Sequence, residues 1–122
     1  MKLLIALHIV VATVYNAVPS QTDSTPLITA SNKHIDANNP GKHRWIAVSR
    51  DLEKHGFTFG VEVCVENAGD MDGIWVVEDR MNKRFTNKID FLVDNEIVLG
   101  KWEGVIISVS YTHLTLPTKR IV

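Results

Sequence analysis

At 122 residues the chain has room for one domain built on one core, not two. A net charge of −1, with basic residues scattered except for a loose group between Arg80 and Lys88, gives no electrostatic footprint for nucleic acid. A single cysteine, Cys64, excludes an internal disulfide and any cysteine-cluster metal site.

In chain order, Met1-Lys2 followed by the apolar run Leu3–Ala12 has the outline of a secretory signal, so residues 1–12 are expected to be an abbreviated signal segment of an exported, periplasmic or extracellular protein. The run is too short for a membrane span, which needs about 20 apolar residues. From Pro19 to Lys42 turn residues cluster and predict irregular backbone, interrupted by the short apolar stretch Leu27–Ser31. Asp23 and Asp36 lie here, and by residue type each is a turn-capping aspartate. His34 and His43 bracket Asp36, but His-x-Asp without a further ligand makes no metal site, and no cofactor is expected.

Arg44–Ser49 reads as a strand and Ser49–Gly56 as a short helix, Ser49 serving as N-cap and Gly56 as terminator. After Gly60 the chain alternates, with Val61, Val63 and Val65 on one side and Glu62, Cys64 and Glu66 on the other, as in a half-buried strand with its valines inward. Asn67–Gly73 is a connecting turn, where Asp72-Gly73 is a hairpin signal and Asp70 and Asp72 are turn formers rather than catalysts. Ile74–Asp79 and Ile89–Val93, rich in Val, Ile, Trp and Phe, read as strands joined by a polar, cationic connection. Leu99–Gly104 leads into a last strand, Val105–Ser108. Short strands at close spacing with one short helix argue for a mainly β fold, a small barrel or sandwich. Val61–Glu66, Ile74–Asp79 and Ile89–Val93 are expected to be neighbouring strands. Trp45, Trp75 and Trp102 are core candidates. Residues 109–118 look like the translation of a sequencing adapter, so 109–122 is expected to be a non-native tail that makes no selected contacts.

Two carboxylates stand out. Asp79 ends the strand from Ile74, and Asp90 sits between Ile89 and Phe91 eleven positions later. Aspartate is among the residues that strands use least. An ionised carboxylate in an apolar wall is costly unless it is paired or keeps its proton. Asp90 therefore either points to solvent from an edge strand and pairs with Lys88 or Arg84, or holds a proton as a general acid does. Periodicity alone favours the edge.

The runs Val77-Glu78-Asp79 and Lys88-Ile89-Asp90, with this spacing, resemble the closing half of the three-aspartate (3D) domain, a double-psi β-barrel related to the catalytic part of membrane-bound lytic transglycosylase A. Asp79-Arg80 is also similar to the Asp-Arg of rare lipoprotein A. Val11–Asn16 resembles the family's opening strand, and Thr29–Asp36 its segment leading to a first aspartate, for which Asp36 is the candidate and Asp23 the alternative. The chain departs from the pattern in three places. Residues Arg80–Asn87 replace a glycine-rich turn, Asn32 or Lys33 stands where glycine is usual, and Ser49-Arg50 replaces Asp-Pro. The resemblance spans Thr13–Ser108 and implies a six-stranded double-psi β-barrel with one short helix over residues 13–108.

It also implies lytic transglycosylase activity: cleavage of the β-1,4 bond between N-acetylmuramic acid and N-acetylglucosamine in peptidoglycan, giving 1,6-anhydro ends. In that scheme Asp90 is the general acid and base, Asp79 holds its geometry and proton, and Asp36 completes the pocket wall. Arg80, Lys83 and Arg84 meet the acidic peptide stems, or else form a solvated turn. The expected partner is the glycan strand and the expected state a monomer. The alternative reading is a non-catalytic double-psi barrel that binds glycan, as expansin-like modules do.

Overall fold

The computed structural model describes residues 7–17, 27–97 and 99–110. They form six strands, β1 (Leu7–Tyr15), β2 (Trp45–Val48), β3 (Glu62–Glu66), β4 (Gly73–Arg80), β5 (Lys88–Leu92) and β6 (Lys101–Val109), with one short helix, α1 (Arg50–Glu53), and two 3-10 turns. The strands close into a barrel in the order β1-β5-β2-β4-β3-β6. β1 and β5 run parallel, as do β2 and β4, and the other four neighbouring pairs are antiparallel.

The barrel interior follows from alternation. Val10 and Ala12 of β1, Ile46 and Val48 of β2, Val63 and Val65 of β3, Trp75 and Val77 of β4, Ile89 and Phe91 of β5, and Val105 and Ile107 of β6 all belong to one buried cluster. Leu52 of α1 and Phe57 after it join the same cluster, so the helix is held by the barrel core. Gly56 ends the helical turn with φ +98, a conformation that costs glycine little. Ser49 does occupy the N-cap position, but its hydroxyl makes no capping bond and instead accepts from the Lys88 N–H of β5. The residue chosen for a helix start thus ties helix, β2 and β5 together.

One expected neighbour relation is corrected. β3 pairs with β4, but β4 and β5 do not pair; β2 lies between them, parallel to one and antiparallel to the other. The reason lies in the Trp45–Val48 run, where Ile46, Ala47 and Val48 are all buried, as in a central strand covered on both faces. The connection from β4 to β5 therefore passes over β2 instead of closing a hairpin. It enters β5 at Asn87, whose φ of +55 supplies the left-handed bend in place of a glycine. The Asn87 N–H donates to the Asp51 carboxylate of α1, and its side-chain amide donates to the Ile9 carbonyl.

The connection between β3 and β4 is longer than the Asp72-Gly73 signal implies. It contains a 3-10 turn over Gly69–Met71, and Asp72 closes it by accepting the Ala68 N–H, which is a turn former's task. Trp75 lies in the core with its indole N–H on the Met71 carbonyl and the Arg44 guanidinium 4.0 Å above its ring.

At the ends, part of the expected signal segment is in the sheet: Leu7–Val10 pair with Val105–Ser108, and Val10 and Ala12 are buried. β6 also runs past the expected boundary at Ser108. Val109 is in register with Val63, and the buried Ser110 donates its N–H to the Glu62 carbonyl. Residues 1–6, Asp23 and the remaining tail, 111–122, lie outside the described residues.

Candidate functional site

The outer face of the barrel carries the site. Thr13 of β1 is in register with Asp90 of β5, Asp90 with Ala47 of β2, and Ala47 with Asp79 of β4. These four residues form one lateral row, with the two aspartates on either side of Ala47. Asp79 reaches this face through a β-bulge. The β2–β4 register shifts between Ile46, opposite Val77, and Ala47, opposite Asp79, so Glu78 is the extra residue. A bulge re-aims the side chain that follows it. Without it, Asp79 would share the inward face of Trp75 and Val77.

Beside the row on the same face lies a second apolar cluster of Tyr15, Ala17, Ile35, Ala47, Met81 and Leu92, with Trp45 and Phe85 packed against it. Ile35 comes from the irregular segment before β2, which also touches the site directly. The Ala30 N–H donates to Asp79 Oδ1 at 2.9 Å. Asn32, at φ +72, makes the tight turn there that a glycine was expected to make.

The two carboxylates sit in different surroundings. Asp79 accepts on Oδ1 from the Ala30 and Arg80 N–H groups and on Oδ2 from the Tyr15 hydroxyl at 3.0 Å. All of these are donors, an acceptor role suited to an ionised carboxylate. Asp90 is mostly buried and accepts on Oδ1 from the Thr13 hydroxyl. Burial raises its carboxyl above the ordinary value and nearby Asp79 adds to this, while the Thr13 hydrogen bond and Lys88 act in the opposite direction. Burial, Asp79 and Asp90 together push the Tyr15 phenol well above its usual value, so it remains a hydrogen-bond donor. The edge-strand reading of Asp90 is excluded, because β5 is paired on both sides.

Asp36 stands differently. Its carboxylate forms an ion pair with Lys42 at 2.8 Å and accepts the Asn38 N–H, as a turn-forming aspartate does. Lys42 leads the causes that hold it below the ordinary value. Its own N–H donates to His43 Nε2, and His43 stacks on Trp45 at 4.0 Å. Asp36 therefore fixes its own turn, with its side chain committed to Lys42.

The cationic connection is also largely engaged within the fold. Arg80 makes a two-pronged ion pair with Glu53 of α1, at 2.7 and 3.0 Å. Arg84 and Lys88 lie over the Phe85 ring, at 4.5 and 4.6 Å. Lys83 is exposed.

Sequence reasoning assigned no role to Thr13 or Tyr15, although each donates to one of the two aspartates. A signal was present: in Val11-Thr13-Tyr15 the two polar residues are two apart and so share a face. Among the described residues no group of three or more His, Cys, Asp or Glu side chains is gathered as for a metal ion, and no helix is long and apolar enough to cross a membrane. No family model, curated protein or solved structure matches the chain.

Proposed function

We propose that the chain is a 3D-type double-psi barrel that cleaves peptidoglycan by lytic transglycosylation, with Asp90 as the acid and base. The observation that carries this reading is the pair of aspartates on one outer row, one mostly buried with a raised carboxyl, the other surrounded by donors. Two neighbouring carboxyl groups whose environments push them apart are suited to separate acid and electrostatic roles. The closed six-stranded barrel and the eleven-residue spacing of Asp79 and Asp90 support the family assignment.

The chemistry follows from those states. Protonated Asp90 gives its proton to the glycosidic oxygen as the bond from C1 of the muramic residue to that oxygen breaks. The resulting Asp90 carboxylate takes the proton of the same residue's C6 hydroxyl as that oxygen bonds to C1. No water is consumed, and Asp90 ends protonated as it began. Asp79, held by Tyr15, Ala30 and Arg80, favours both the proton on Asp90 and the positive charge that develops at C1.

The alternative reading, a glycan-binding barrel without catalysis, is favoured by one observation: Asp36, the third carboxylate of the pattern, is tied to Lys42 in a turn. Incubation with purified peptidoglycan, followed by mass analysis of the soluble fragments, separates the two. Release of 1,6-anhydro ends, falling by about 10² to 10⁴ in Asp90→Asn, supports the enzyme. Pull-down on peptidoglycan with no soluble product supports the binding module.

A further inference from the structure

The row that holds the aspartates continues one strand further than the proposed chemistry uses. Thr13 is in register with Lys101 of β6, so the outer face reads Lys101, Thr13, Asp90, Ala47, Asp79 across five strands. Neighbouring strands lie about 4.8 Å apart, which puts the Lys101 backbone roughly 10 Å from that of Asp90. Beyond the Thr13–Lys101 pair, Leu99 and Gly100 lead into β6, with Gly100 beside Val14 of β1. With Thr13, Val14 and Lys101 they line an open groove of about 540 Å³.

Its lining is specific. Gly100 lets the chain lie close beside Trp102 and Val14, since a Cβ there would meet Trp102 Cη2 at 2.9 Å and Val14 Cγ1 at 3.1 Å. Leu99 is an exposed leucine, 87% accessible, at the groove. Lys101 is exposed, and its ion pair with Glu103 is long, at 3.8 Å. Thr13 belongs to both places, because it lines the groove and donates to Asp90. By contrast Arg80 is occupied by Glu53, and Arg84 and Lys88 lie on Phe85.

We propose that this groove is a substrate subsite on the Lys101 side of Asp90, taking a saccharide unit that carries a carboxylate. The apolar part of the ligand lies on Leu99, and its carboxylate meets Lys101. The proposal rests on the glycan-cleavage reading and deepens it, naming the part of the substrate that is recognised and the cation that recognises it. The carboxylate can come from the lactyl group of the muramic residue or from the peptide stem attached to it.

Calorimetric titration of the Asp90→Asn protein, which binds without turnover, provides the test. Three probes are used: neutral chitotetraose, a peptide-free tetrasaccharide of alternating N-acetylglucosamine and N-acetylmuramic acid, and the same tetrasaccharide with its stems. Adding Lys101→Gln should weaken the carboxylate-bearing probes by about 2- to 5-fold, the range of an exposed ion pair, and leave chitotetraose unchanged. Added salt should weaken those probes in the parent and much less in Lys101→Gln. An effect on the peptide-free probe identifies the lactyl carboxylate, and an effect confined to the stem-bearing probe identifies the stem. Unchanged affinity for all three probes, or an equal loss that includes chitotetraose, overturns the subsite while leaving glycan binding by the parent intact. If the parent binds none of the three, the glycan reading itself fails and the subsite falls with it.

Discussion

On β5, Ile89 and Phe91 point into the barrel and are fully buried, while Lys88 and Asp90 face outward on the same strand. Phe91 lies against the rings of Trp75 and Trp102, with centroids at 4.7 and 5.8 Å. Asp90 meets a hydroxyl and lies near a second carboxylate. Because β5 is bonded to β1 and β2 on its two sides, both faces rest on one fixed backbone. The inner face supplies cohesion through apolar area. The outer face holds a carboxyl that binds its proton more tightly than it would in water.

The inner half of this contrast breaks most visibly. Phe91→Ala removes a fully buried ring and should cost about 3–5 kcal/mol. In a domain of this size that lowers Tm by more than about 10 °C in a thermal melt. A small change there would mean that the inner face is not where stability resides.

The outer half responds with the opposite sign. The folded chain holds the Asp90 proton more tightly than the unfolded chain does, because the folded carboxyl is raised above its ordinary value. The stabilisation is complete below the usual carboxylate range and is lost as pH rises through the raised value. Asp90→Asn does not titrate. Its Tm should match the parent's below the usual carboxylate range and exceed it at pH values above the raised one. A lower Tm for the variant at the higher pH would show that the ionised carboxylate is compensated by partners instead.

A smaller effect is expected at the end of β6. A chain ending at Ser108 loses the Val109 pairing with Val63 and the Ser110 hydrogen bond to Glu62. One net backbone hydrogen bond is worth about 1 kcal/mol, or about 4 °C here, relative to a chain ending at Ser110. Equal melting of the two chains would place the end of the cooperative unit at Ser108, where the sequence put it.

The strands and their inward faces were legible because alternation is local, as in Val63 and Val65 or Ile89 and Phe91. Their order was not. A four-residue strand such as Trp45–Val48, buried on both faces, carries no alternation to say which neighbours it takes. Asp79 and Asp90 stand out in the sequence by their cost in a strand, but the bulge at Glu78 that brings Asp79 onto the row of Asp90 has no sequence mark. Asn87 and Asn32, both at positive φ, make left-handed bends of the kind glycines usually supply. The partners of Arg80 and Asp36 were not legible for one physical reason: an exposed charge on a small domain takes whichever opposite charge the fold brings near, here Glu53 and Lys42.

Asp90 binds its proton more tightly than a free aspartate because it is buried, with Asp79 nearby. Carbon-13 NMR titration of the Asp90 carboxyl, in the parent and in Asp79→Asn, measures this directly. The account predicts a midpoint above the ordinary aspartate range in the parent and a lower one in Asp79→Asn, where the neighbouring charge is gone and burial remains. A midpoint at or below the ordinary range, unmoved by Asp79→Asn, would contradict it.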